Sequence, residues 1–184
     1  EVDWMIYYPS AAVDLLSFTT TPRGAVRIPV RAKNRISLKS TLVQWAEECE
    51  FDWACDYHYM VFSKEKNAKK ILEIDASPEI HTKILGSLLG YPDCCCQWAE
   101  SIGEQHLDAY DRQLAQERKY NGKWSLIDHR HYKEGKALIS HIPCSEYCRS
   151  SLKLAKQTYD SLVALINLTP VFVKEHLESL NPTP

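Results

Sequence analysis

Hydrophobic and polar positions in the N-terminal third of the chain alternate with the period of two that is typical of half-buried β-strands. Within residues 27–33, the basic side chains and Pro29 share one face, while the apolar side chains take the other. This pattern predicts a strand with a basic outer face, and Pro29 indicates a sheet edge or a bend. A helix over the same residues is rejected because Pro29 would lie inside it. The aromatic and apolar run at 57–62 predicts another strand.

Most of the remaining chain shows the 3.6-residue period and the end signals of α-helices. Helices are predicted over residues 64–74, 78–89, from 93 onward, over 145–166 and from 170 to about 180. Each begins near a serine or a proline, which are residues favoured at helix N-termini. The chain is therefore predicted to have an α+β fold, with a small sheet of short N-terminal strands followed by a helix-rich C-terminal part.

The length of 184 residues suits a single domain. Within it we expect a strand-rich N-terminal part over 1–56, a motif-bearing part over 57–168, and a C-terminal helix and tail over 169–184. No run approaches the roughly 18 apolar residues that a membrane span needs, so no membrane partner is expected. The chain begins at Glu1 and not at Met, which leaves open whether a leader was removed.

Seven cysteines, an odd number, include the consecutive residues Cys94, Cys95 and Cys96. Neighbouring cysteines form a disulfide only with strained geometry, and secreted disulfide frameworks use even numbers of cysteines. The pattern favours a reducing, cytoplasmic compartment in which the thiols bind metal or carry out chemistry.

Two segments carry most of these cysteines, Leu-Gly-Tyr-Pro-Asp-Cys-Cys at 89–95 and His-Ile-Pro-Cys-Ser-Glu-Tyr-Cys at 141–148. Both place thiols just after a proline, at the predicted first turn of a helix. The exposed N–H groups there stabilise a thiolate. Cys144 and Cys148 are four residues apart, so a helix would make their side chains neighbours that can share a metal.

The helical phase distinguishes the three consecutive cysteines, because three successive residues fan across about 200° of a helix. Cys94 and Cys95 align with Trp98, whereas Cys96 points away from that stripe. The predicted metal ligands are therefore Cys94, Cys95, Cys144 and Cys148, with His141 and His81 as candidate nitrogen contributors.

These two motifs resemble those of a little-characterised archaeal and bacterial family, classed as a domain of unknown function. The resemblance covers about residues 57–165 and depends on Gly90, Tyr91, Pro92, Cys94, Cys95, His141, Pro143, Cys144, Ser145 and Cys148. It implies that the two segments belong to one site, and it implies no activity. Cys96 departs from the family pattern.

The residues favour a Cys/His metalloprotein that holds an iron–sulfur cluster and acts as an enzyme on a small-molecule or nucleotide-like substrate. The cysteine spacing matches neither the spacing of zinc ribbons nor that of ferredoxins. It therefore does not decide between the two cofactors, and zinc stays an alternative to the cluster. A metal-free dithiol oxidoreductase and an inert buried group of thiols also stay open. His141 is the candidate catalytic residue, as a general acid–base or as a group that orients a thiolate.

The basic segment near the N-terminus offers a different class of function. Its residues Arg27, Arg31, Lys33 and Arg35 form a candidate RNA-binding or nucleotide-binding surface in a chain whose net charge is only −2. A solvated basic face is the alternative, because acidic residues elsewhere balance the charge. The combination of this surface with zinc would make the protein a zinc-stabilised RNA-binding module.

Overall fold

Residues 9–30, 35–77, 79, 81–103, 105–107, 109 and 126–166 are described by the computed structural model of the chain. In chain order, its elements are α1 (Pro9–Thr20), β1 (Ala25–Pro29), α2 (Arg35–Glu48), β2 (Asp52–Cys55), β3 (Tyr59–Ser63), α3 (Ala68–Asp75), α4 (Thr82–Leu88), α5 (Asp93–Ile102), a 3-10 helix (His129–Glu134) and α6 (Arg149–Ile166). The predicted α+β class is confirmed, with the sheet in the N-terminal half and helices dominating after it.

The sheet is antiparallel, with β3 between β1 and β2. Ile28 on β1 pairs with Met60 on β3, and both side chains are fully buried. Arg27 and Pro29 lie on the opposite face and are only partly buried, as the period-two pattern predicts. The predicted strand at 57–62 begins two residues later than expected, at Tyr59, because the Asp56 carboxylate accepts hydrogen bonds from the N–H groups of His58 and Tyr59.

Residues 1–56, which are predicted to be strand-rich, contain the helices α1 and α2 besides the strands β1 and β2. Helix α1 has buried apolar side chains on several sides, which masks the amphipathic period that a surface helix would show. Helix α2 begins at Arg35, six residues after Pro29, so the objection to a helix through that proline does not apply to it.

Both faces of the sheet are covered. On one face, Phe18 of α1 and Trp45 of α2 pack with Phe62 in a group of buried apolar residues. On the other face, Val61 of β3 packs with Ile71 of α3 and Leu89, the residue that follows α4. These contacts fix α4 against the sheet, and α5 begins only a few residues later.

Several helices begin later than predicted. Helix α3 starts at Ala68 and not at residue 64, because the Ser63 hydroxyl and the Glu65 backbone form a local turn before it. Helices α4 and α6 also start a few residues late, whereas α5 begins at Asp93 as expected. The predicted helix from residue 170 lies outside the described residues. The division of the chain into one domain with three parts stays a prediction.

Within the described part of the chain, no helix combines the length and the apolar character that crossing a bilayer requires.

Candidate metal centre

Four cysteine side chains meet where the first turn of α5 faces the start of α6. Their Sγ atoms all lie within 4.8 Å of one another, and the residues are Cys94, Cys95, Cys144 and Cys148. We call this set the four-cysteine group. These are the four residues that the sequence predicts as ligands.

The distances between the sulfurs match the requirements of a single metal ion. The Sγ atoms of Cys95 and Cys148 are 3.6 Å apart, those of Cys94 and Cys148 are 3.7 Å apart, and those of Cys94 and Cys95 are 3.9 Å apart. A tetrahedral ion with metal–sulfur bonds of about 2.3 Å separates its sulfurs by about 3.8 Å. The three sulfurs are therefore spaced like three corners of such a tetrahedron.

The turn before α5 sets the direction of its cysteines. Gly90 has a φ angle of 75°, a conformation that favours glycine, and a Cβ atom there would lie 2.9 Å from Cγ of Arg23. Pro92 then forms the N-cap, and its carbonyl accepts hydrogen bonds from the N–H groups of Cys95 and Cys96. A tight turn and a proline thus place two thiols on the side of α5 that faces α6.

Cys96 lies outside the four-cysteine group, as its helical phase predicts. Its buried thiol contacts the backbone carbonyl of Tyr91 at 3.7 Å and packs against Gly86 of α4. Burial raises the pKa of the Cys96 thiol. Cys49 and Cys55 are also free thiols, and neither belongs to the group.

Cys144 joins the group by a different route from the one predicted. Helix α6 begins at Arg149, so Cys144 and Cys148 are not neighbours on a helix. Instead, residues 144–147 turn before the helix, and the N–H of Cys148 donates to the Ser145 carbonyl. The N–H of Cys144 donates to Sγ of Cys95 at 3.4 Å. The predicted helical spacing is wrong because the helix starts after the second cysteine.

The thiols of Cys95, Cys144 and Cys148 do not ionise equally. Burial opposes ionisation of Cys148, but hydrogen bonds from the side chain and backbone of Ser151 outweigh it and lower the pKa of Cys148 to about 7. Burial and the neighbouring Cys148 raise the pKa of Cys144 to about 11, and burial also raises the pKa of Cys95. A metal cation would replace the remaining protons, because thiolates are the form that binds metal.

His141 is buried behind the group and reaches it through Ser151. Its Nε2 atom lies 2.8 Å from Oγ of Ser151, and that oxygen lies 3.3 Å from Sγ of Cys148 and 3.4 Å from Sγ of Cys95. Burial, together with the nearby Arg23 and His129, lowers the pKa of His141 to about 3. The imidazole is therefore neutral at physiological pH.

Sequence reasoning missed Ser151. The available signal was its position three residues after Cys148, which places the two side chains on the same side of a helix that starts between them. His81, the other candidate nitrogen donor, lies at the N-cap of α4 with Nε2 3.5 Å from the Glu79 carboxylate, and it is not part of the four-cysteine group.

The candidate RNA-binding residues are only partly described. Arg27 forms an ion pair with Asp75, and its guanidinium lies 4.5 Å from the centre of the Tyr59 ring. Arg31 and Lys33 fall outside the described residues, and Arg35 is the first residue of α2. The RNA-binding or nucleotide-binding surface stays a prediction.

Comparisons of the chain with protein-family models, with curated proteins and with solved structures find no match. The resemblance to the uncharacterised family therefore stays a prediction.

Proposed function

We propose that the protein is a metalloprotein in which the four-cysteine group holds one tetrahedral zinc ion. The observation that supports this most directly is the set of sulfur separations, 3.6, 3.7 and 3.9 Å, which match the edge of a single tetrahedron. Soft thiolate ligands in this arrangement are typical of zinc and of iron–sulfur centres.

The same distances favour one ion over an iron–sulfur cluster. The thiolates of a cluster bind different irons that are bridged by sulfide, so some sulfur pairs lie well beyond the edge of one tetrahedron. Here all four Sγ atoms lie within 4.8 Å of one another. The geometry thus favours the zinc alternative of the sequence analysis over the cluster, and elemental analysis decides between the two.

In this proposal the metal ties the N-terminal end of α5 to the turn that precedes α6. Four protein ligands complete a tetrahedron, as they do in structural zinc sites, and leave no open position for a substrate on the metal. Ser151 and His141 orient and stabilise the thiolates, since hydrogen bonds to ligand atoms are part of such sites. His141 is then a positioning residue for the metal centre.

Elemental analysis of anaerobically purified protein tests the proposal. We expect about one zinc per chain, no colour, and an absorption spectrum after cobalt substitution that is typical of tetrahedral thiolate ligation. Two or more irons with matching sulfide would instead establish a cluster. Absence of both metals would favour the dithiol alternative.

Single replacements identify the ligands. Cys95→Ser, Cys144→Ser and Cys148→Ser should each abolish zinc retention, and Cys94→Ser should weaken it. Cys96→Ser is the matched control, because this thiol is adjacent in sequence but faces Gly86. Cys49→Ser is a second control on an exposed thiol. Zinc loss from either control, with the fold intact, would contradict the ligand assignment.

A further inference from the structure

A pocket of about 350 Å³ lies beside the four-cysteine group. Leu85, Leu89 and Ile142 contribute apolar wall, Tyr91 and His141 contribute polar groups, and Cys95 is shared between the pocket and the metal centre. This volume is within the range of small-molecule sites, which are mostly apolar and contain a few placed polar groups.

A ring nitrogen of His141, which lines this pocket, lacks a partner. The Nδ1 atom of His141 is buried and has no hydrogen bond to any residue in the described part of the chain. Burial of an unsatisfied polar atom costs free energy, so such atoms in native proteins call for a partner. The histidine itself is 6% exposed and lines the pocket, which makes a bound molecule a suitable partner.

The hydrogen bonds at the metal centre determine whether Nδ1 of His141 needs a donor or an acceptor as its partner. The Ser151 hydroxyl donates to Sγ of Cys148 at 3.3 Å, so its oxygen accepts the hydrogen bond from Nε2–H of His141 at 2.8 Å. A neutral imidazole protonated at Nε2 carries a lone pair at Nδ1. Nδ1 is therefore an acceptor, and it needs a donor. This step rests on the proposed function, because metal-bound thiolates are the acceptors that orient Ser151.

Two side chains of the pocket lining, those of His141 and Arg27, favour a neutral ligand. His141 is uncharged, as its lowered pKa requires. Arg27 also lines the pocket, but its guanidinium is paired with Asp75 and lies over the Tyr59 ring. A ligand with a full charge would thus find no unpaired opposite charge on either of these side chains.

We propose that this pocket binds a small, neutral and mostly apolar molecule whose N–H or O–H group donates a hydrogen bond to Nδ1 of His141. The apolar walls supply the area buried on binding, and His141 supplies the selectivity for a donor. The nearby metal ion takes no direct part in contacting the ligand.

A matched pair of probes tests the donor requirement. Indole and 1-methylindole have the same bicyclic ring, but only indole carries an N–H donor. Binding of each probe to the zinc-loaded protein is measured by ligand-observed NMR titration. We expect indole to bind at least roughly tenfold more tightly, because 1-methylindole leaves the buried acceptor unsatisfied. Equal binding of the two probes, or no binding of either, overturns the proposal.

Variants then locate the binding site. His141→Phe should bind indole and 1-methylindole about equally. His106→Phe changes an exposed histidine outside the pocket lining and should keep the preference for indole. Ala99→Phe fills the pocket from α5 without changing His141, and it should weaken both probes at least roughly tenfold. An unchanged affinity in Ala99→Phe overturns the pocket assignment even if His141→Phe does not fold.

Zinc content is measured for every sample, so that the two proposals are judged separately. A wild-type protein without zinc contradicts the proposed metal centre, whatever the probes do. A zinc-loaded protein that does not discriminate between the probes contradicts only the pocket proposal. Loss of indole selectivity in His141→Phe with zinc retained supports both.

Discussion

The Oγ atom of Ser151 lies 2.8 Å from Nε2 of His141, and both side chains are buried. Since the same oxygen contacts the sulfurs of Cys148 and Cys95, one serine connects an imidazole to two of the proposed metal ligands. His141 is thus linked to the four-cysteine group through one side chain, that of Ser151.

Replacement of Ser151 by alanine should weaken zinc binding and not abolish it. Removal of a hydrogen-bonding partner of metal ligands typically lowers metal affinity about 10–100-fold. Competition with a chromophoric chelator measures the change. Ser150→Ala is the matched control, because Ser150 is exposed and precedes it directly on α6. A wild-type affinity in Ser151→Ala would show that the hydroxyl is not needed to orient the thiolates.

His141 should make stability depend on pH. Its pKa is about 3 in the folded protein, against an ordinary value of 6.5, so between these values the unfolded chain binds more protons. The free energy of unfolding should therefore fall as the pH falls from 6.5, by up to about 1.4 kcal/mol per pH unit. Urea unfolding with a chelator present measures this slope without a contribution from metal loss.

His141→Phe should make that dependence shallower, because the variant has no imidazole to protonate at this site. His106→Phe is the control, since His106 is exposed and its removal should leave the slope unchanged. The same slope in wild type and His141→Phe would mean that other groups account for the acid sensitivity.

Gly86 and Cys96 should show a strong coupling. A Cβ atom at Gly86 would lie 2.7 Å from Sγ of Cys96, which is too close, but 3.6 Å from its Cβ. Gly86→Ala alone should destabilise the protein by about 1–3 kcal/mol through overpacking. The double variant Gly86→Ala/Cys96→Ala removes the sulfur and should recover most of that loss. A double-mutant cycle from urea unfolding measures the coupling, and additive effects would contradict the predicted contact.

The buried ion pair between Arg23 and Asp14 should tolerate joint replacement better than the loss of one partner. The charged atoms are 3.3 Å apart, and each side chain is 2% exposed. Arg23→Met should lower the free energy of unfolding by about 3–5 kcal/mol, because it leaves the buried Asp14 carboxylate without its positive partner. Asp14→Asn/Arg23→Met should cost less, since the amide oxygen can still accept the Tyr132 hydroxyl.

The exposed pair between Lys156 and Asp160 on α6 provides the comparison for this measurement. Lys156→Ala should change the free energy of unfolding by less than about 1 kcal/mol, because solvent weakens such pairs. A similar loss of unfolding free energy in Arg23→Met and in Lys156→Ala would contradict the prediction that burial makes an ion pair more costly to break.

The sequence was informative where a geometric rule acts within one element. The helical phase of α5 separates Cys96 from Cys94 and Cys95, because the spacing of side chains around a helix is fixed. Period-two alternation likewise predicts that Ile28 and Val30 face the interior. Both predictions depend only on neighbouring residues.

The sequence was less informative where the position of a helix end decides the outcome. The sequence predicts that Cys144 joins the group through a helix, but that helix begins only at Arg149, five residues after Cys144, and a turn places the thiol there instead. The hydrogen bond between Ser151 and His141 depends on that same start of α6. It also depends on the burial of His141, which residues distant in the sequence bring about. Helix α1 was missed because its contacts with the sheet and α6, and not its own pattern, explain its apolar surface.

The contact between Cys95 and Cys148 joins two residues that are 53 positions apart in the chain. An ion held by both closes a long loop, and the same reasoning that applies to disulfides gives an entropic stabilisation of about 4 kcal/mol for a crosslink of this span. Unlike a disulfide, this crosslink can be removed by a chelator under reducing conditions. Metal supply would then shift the folding equilibrium, so that a chain made under zinc starvation would unfold more often and be cleaved more readily by proteases.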